Sequence, residues 1–171
     1  MAKPRQSGFS VTELVIVVAV IVVILAIAVP RLLNARMSAN TASAAASIRA
    51  IHIAEATYTS NYPAVGYSSN LLNLGRNGST CESTTRTNAC LIDDTLATGI
   101  KSGYVFDLTG DGSTPDTAYS LTATPVSNGY SGQCSFSSDQ SGFIHAKANT
   151  SQTSILQMGG GSSGCTLSST M

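Results

Sequence analysis

The stretch KPRQSGFSVTELVIVVAVIVVILAIAVPR, residues 3–31, decides how this chain is read. It joins a short basic leader to a long apolar run that holds one acidic side chain, Glu13. From Phe9 to Val29 the run covers 21 residues. At a rise of about 1.5 Å per residue this makes about 30 Å of helix, the thickness of a bilayer core. Eleven of the sixteen residues from Leu14 to Val29 are Val or Ile, which form helices only moderately well in water. In lipid the choice is forced, because a lone strand would leave its backbone groups unsatisfied. A membrane helix is the expectation.

Three fates fit such a segment. As a plain single-pass anchor it would carry Glu13 at a cost and without a use. As an ordinary secretory signal it has its basic residues in Lys3 and Arg5, and Ala26-Ile27-Ala28 offers a small-x-small cleavage site. In the third reading the cut falls before the run, after Gly8, and Phe9 becomes the new N-terminus. Residues four apart share a helix face, so the free amine of Phe9 and the carboxylate of Glu13 could interact, within one copy or between neighbours. An unpaired charge in hydrocarbon costs several kcal/mol, and pairing offsets much of that. A buried pair need not add net stability, but it can set register between subunits.

SGFSVTELVIVVAVIVVILAIAVP resembles the N-terminus of type IV pilins and of the pseudopilins of type II secretion systems. The matching features are Gly8 closing a short basic leader, Phe9 after it, Glu13 four residues on, and Pro30 at the end of the run. Ser10 and Val11 stand where the commonest pattern has Thr and Leu. The resemblance implies that a prepilin peptidase cuts between Gly8 and Phe9 and that Phe9 is N-methylated. It also implies a filament cored by these helices, with Glu13 facing the N-terminal amine of an adjacent subunit. The ring of Pro30 would clash with the carbonyl of Ala26 and remove one hydrogen bond, so a kink or interruption is expected over residues 22–30.

Residues 31–58 contain no Gly or Pro and many Ala, which predicts a continuing helix. At 100° per residue, Leu33, Met37, Ala44, Ile48, Ile51, Glu55 and Tyr58 fall on one side. This stripe is expected to pack on a sheet, with Glu55 near its edge. The helix should end at SNYPAVGY, where Pro63 and Gly66 break it.

Beyond Tyr67 short alternating runs take over. SSNLLNLG suggests a short helix or turn, and four strands are expected at residues 103–108, 118–124, 133–137 and 142–146, the last two joined by a turn at 139–141. A meander of these strands against the long helix would bury its Tyr, Phe and Ile face. The four cysteines, Cys81, Cys90, Cys134 and Cys165, lie in the second half and form no C-x-x-C pair. Their even number beside an export-like N-terminus suggests two disulfides. Of the three possible pairings, Cys81–Cys90 would close a short local loop and Cys134–Cys165 would pin the C-terminal tail, GGGSSGCTLSSTM, whose composition predicts flexibility. Because disulfides form outside the cytoplasm, they orient the chain where the flanking charges nearly tie.

Nine basic and nine acidic side chains balance, so there is no basic footprint for nucleic acid. No phosphate loop and no H-E-x-x-H motif occurs, so no enzyme and no cofactor is expected. His52, on the Ala-rich helix, reads as a surface or interface residue, and His145 as exposed on a strand. DLTGDGSTPD places Asp107, Asp111 and Asp116 around a Gly-rich turn, a weak candidate calcium site because the spacing is not that of an EF-hand.

These readings sum to an α+β pilin fold: a long N-terminal helix packed on a small antiparallel sheet of about four strands, with disulfide-bonded C-terminal loops. The expected boundaries are a leader at 1–8, a membrane and filament-core helix at 9–30, an amphipathic helix at 31–62 and a globular head at 63–171. The expected role is a type IV pilus subunit, held in the inner membrane with its head in the periplasm and then polymerised into extracellular filaments for adhesion or twitching motility. Expected partners are identical or related subunits, prepilin peptidase, the inner-membrane assembly platform and, before assembly, lipid. A type II secretion pseudopilin and, more remotely, a secreted or singly anchored binding domain are the alternatives.

Overall fold

The computed structural model describes residues 9–78, 81–148 and 165. The leader at 1–8 and the tail around Cys165 lie outside the described residues. Helix α1 spans Val11–Asn61, 51 residues, and is followed by α2 (Leu71–Leu74) and α3 (Asp94–Ala97). The strands are β1 (Ile100–Lys101), β2 (Tyr104–Gly110), β3 (Tyr119–Pro125), β4 (Cys134–Asp139) and β5 (Ile144–Ala148). They form one antiparallel sheet in the order β1-β2-β3-β4-β5. The chain is α+β, as its sequence suggests.

The four expected strands are present with shifted ends, and β1 is added at the edge of β2. Lys101 opposes Tyr104 across a two-residue turn whose members, Ser102 and Gly103, both have positive φ. Two residues are too short a strand for alternation to show. The short helices α2 and α3 are each capped by a side chain: Asn70 Oδ1 accepts the Asn73 N–H, and Asp93 Oδ1 accepts the Leu96 N–H. These bonds satisfy donors that four-residue helices cannot satisfy internally.

Chain contacts divide the molecule into two units, residues 1–36 and 37–171, and α1 contributes to both. In the second unit Ala44, Ile48, Ile51, Glu55 and Tyr58 are buried, at the spacing of one helical face. The apolar members of this face join Tyr104, Phe106, Leu108, Tyr119, Leu121, Ala123 and Phe136 from the inner face of the sheet in one core. One row across the sheet reads Phe106, Ala123, Phe136, Ala146. The alternation of large and small side chains leaves each ring room against its neighbours, in keeping with close packing.

Glu55 departs from its expected place. It is 0 % exposed and lies within the core instead of at the edge of the stripe. The helical period assigns a residue to a face; it does not tell how deep the neighbours cover it. At Pro30 the helix is not interrupted, and α1 runs through it. The ring removes one bond, and the bonds of the turns on either side carry the helix across.

Cys81 is bonded to Cys90 and Cys134 to Cys165. The first bridge closes a loop fastened to the head by backbone bonds from Ala89, Cys90 and Leu91 to the carbonyls of Asn73, Gly75 and Leu74, and by the Tyr58 hydroxyl, which donates to the Arg86 carbonyl at 2.6 Å. The second ties Cys165 to the start of β4.

Candidate assembly segment and buried polar sites

The first unit carries the segment on which assembly would depend. Its helix starts at Val11, and the carbonyl of Ser10 accepts the N–H groups of Glu13 and Leu14 at 3.1 and 3.2 Å. Ser10 Oγ and Thr12 Oγ1 are hydrogen-bonded at 2.8 Å. Phe9 lies just outside the helix. Glu13 sits in the first turn, where a carboxylate is favoured by the helix dipole. Phe9 is 73 % exposed, and the large apolar side chains of the helix from Val11 to Leu33 are exposed on every side. A helix that is apolar all round is suited to burial in lipid or in a bundle, and not to water.

The second unit holds polar groups inside its core. His52, expected at a surface or interface, is partly buried and bridges two strands. Its Nε2 lies 2.8 Å from Ser138 Oγ, and its Nδ1 is hydrogen-bonded to the Tyr119 hydroxyl. Ser138 Oγ donates to the Phe143 carbonyl at 2.6 Å, which leaves it free to accept from His52 Nε2–H. Nδ1 then accepts from Tyr119, so the network assigns a neutral imidazole. Burial lowers the pKa of His52, partly opposed by the charge of Asp139. The arrangement is a helix-to-sheet clasp and not a nucleophile with its base, because the serine proton is committed to a backbone carbonyl. Removing the phenol hydroxyl in Tyr119→Phe leaves Nδ1 without its donor. The expected cost is about 1–3 kcal/mol in urea unfolding, and an unchanged midpoint would show that the clasp contributes nothing. His145 is exposed on β5, as expected from its alternation with Ile144.

Glu55 Oε2 accepts the Ser68 N–H at 2.8 Å, while Oε1 is buried without a partner. Burial pushes the Glu55 carboxyl up to about 7; the Ser68 N–H opposes this and the charge of Asp116 adds to it. Asp116 Oδ1 is likewise buried and unpartnered.

Of the three aspartates of the Gly-rich turn, Asp111 and Asp116 interact with each other through their side chains, and Asp107 does not join them. Asp107 points from the exposed face of β2, between buried Phe106 and Leu108. Asp111 closes the turn on itself: Oδ1 accepts the N–H and Oγ–H of Ser113, and Oδ2 accepts the N–H and hydroxyl of Thr117. These donors hold its carboxyl well below the usual carboxylate range, the Ser113 hydroxyl most of all. Among the described residues no group of three His, Cys, Asp or Glu is placed to hold a metal.

Residues 3–29 match the family model for the prokaryotic N-terminal methylation motif. The chain therefore carries the class III signal peptide motif of type IV pilins and pseudopilins. The motif supports a type IV pilin or pseudopilin, a family of structural and not enzymatic proteins. It implies processing by prepilin peptidase and assembly into multi-subunit filaments, and with the apolar helix it fits membrane anchoring before assembly. No curated protein and no solved structure matches the chain.

Proposed function

We propose that the chain is the precursor of a type IV pilus subunit. The observation that carries this reading is the methylation motif at 3–29 running directly into an apolar helix exposed on every side. In this reading residues 1–8 are the leader, removed after Gly8, and Phe9 becomes the methylated N-terminus. Residues 9–30 anchor the subunit in the inner membrane and then form the filament core. Residues 31–62 lead to the head at 63–171, which is periplasmic before assembly and lies on the outside of an extracellular filament after it. Glu13 accepts the amine of a neighbour's Phe9, and Pro30, already lacking one backbone bond, is where the helix yields when subunits pack. Adhesion or twitching motility is the role this filament would serve.

The test is the N-terminal residue and mass of the mature protein isolated from membranes or sheared filaments. N-methylated Phe9 is the expected result. A chain starting at Val29 would mean an ordinary signal peptide and no filament. Electron microscopy of the producing cells then separates the two families that share the motif. Surface filaments that vanish when the gene is deleted are expected for a pilus subunit. A deletion that stops protein export and removes no filament would identify a secretion pseudopilin instead.

A further inference from the structure

The chain leaves α1 through residues 62–70, and this segment is fastened by the backbone at its middle and by a side chain of α1 near its end. The Gly66–Asp116 bridge ties its middle, with the Asp116 N–H donating to the Val65 carbonyl at 2.8 Å and the Tyr67 N–H to the Asp116 carbonyl at 3.0 Å. Within the segment the Ser68 hydroxyl donates to the Asn70 carbonyl at 2.8 Å. The tie to the helix is the Ser68 N–H on Glu55 Oε2. Ser68 and Glu55 are both 0 % exposed, so this bond is sealed from water. Its acceptor is a carboxyl group whose second oxygen has no partner.

We propose that Glu55 is a pH-sensitive fastener that holds residues 62–70 against the helix while it is neutral and releases them when it is ionised. A neutral carboxyl needs only the one bond to Ser68 and a modest accommodation of its other oxygen. An ionised one places a full charge among apolar side chains, with a single N–H to stabilise it. The groups around it worsen that charge. Asp116, on the connection between β2 and β3, acts on it as a second anion and itself has a buried unpartnered oxygen. Tyr58, one turn on along α1, and Tyr119, on β3, feel the Glu55 charge as neutral phenols held above their usual range, chiefly by burial. Arg86 is a cation whose charge acts on Tyr58. Opening the segment lets water reach the carboxylate, so ionisation favours the open form.

The direction follows from the raised carboxyl. Its stabilising contribution is complete below about pH 4.5, the ordinary value, and is lost as pH rises through about 7. His52 acts in the opposite sense and elsewhere: its lowered pKa makes acid loosen the Tyr119–Ser138 clasp.

Hydrogen exchange of the full chain in detergent micelles, corrected for intrinsic rates, tests the fastener. Protection of the Ser68 amide should fall roughly a hundredfold between pH 4.5 and pH 8, while amides of the central strand β3 fall much less. In Glu55→Gln, whose side chain can still accept from Ser68 but cannot ionise, Ser68 protection should be flat over that range. Equal loss at Ser68 and in β3 would overturn the proposal, as would a wild-type Ser68 that ignores pH. Should Glu55→Gln fail to fold, the side-chain carboxyl carbon signal of Glu55 in the wild-type protein decides the matter. A midpoint near 7 is expected, and a midpoint near 4.5 would end the idea.

Discussion

Glu13→Leu should leave the protein cut at Gly8, inserted in the membrane and folded, yet abolish filaments. The substitution removes the one charge between Phe9 and Val29, so insertion becomes easier, since a carboxylate costs up to a few kcal/mol in the apolar region. In the assembly proposed above, the loss falls on the neighbour: its N-terminal amine enters the bundle with no anion to meet. Leaving one member of a buried ion pair alone costs about 3–5 kcal/mol, two to nearly four powers of ten in each association step. Sheared filaments should fall below detection while membrane-bound, methylated subunit accumulates. Normal filaments with Leu at this position would mean that the carboxylate has no part in docking.

Gly66→Ala should be the most damaging single-methyl change in the head. Gly66 has φ +82°, and a Cβ built there would lie 2.1 Å from the Asp116 carbonyl oxygen and 2.6 Å from its nitrogen. Backbone cannot rotate aside as a side chain can, so the Gly66–Asp116 bridge must open and its two flanking hydrogen bonds weaken. Strain in the left-handed region and the lost bonds together give about 3–5 kcal/mol. Gly112→Ala is the matched control, with φ +78° and nothing within 4 Å of the added carbon. It should cost only about 1 kcal/mol. Urea unfolding of the two variants measures the difference; equal midpoints would show that the bridge is dispensable.

How much of this was visible before folding differs from residue to residue. The apolar run, its single carboxylate and the order Gly8, Phe9, Glu13, Pro30 are contiguous, and contiguous patterns need no tertiary structure to be read. The helix face through Ala44, Ile48, Ile51 and Tyr58 was likewise legible, because 3.6 residues per turn places side chains on a face wherever the helix ends up. Alternation located β2 to β5 within a few residues, and the positions of the cysteines made a local bridge and a tail bridge the natural pairing.

Other features required the fold. Glu55 belonged to the right face on periodicity, but its burial depends on Ser68 and Asp116, which arrive from segments 13 and 61 positions away. Ser138 occupies an inner row with Leu108, Leu121 and Ile144, where a hydroxyl looks misplaced until His52 is brought over it from a helix 86 residues earlier. Gly66 read as a helix breaker, and only the approach of the Asp116 backbone makes it a position where no side chain fits. Asp111 read as a weak candidate metal ligand because carboxylates near glycines suit cations and tight turns alike, and only the fold brings the Ser113 and Thr117 donors onto it. Periodicity and motif describe what each segment can present. Which buried polar group meets which partner is decided when distant segments close on one core, since such a group is tolerated only where its partner comes to rest.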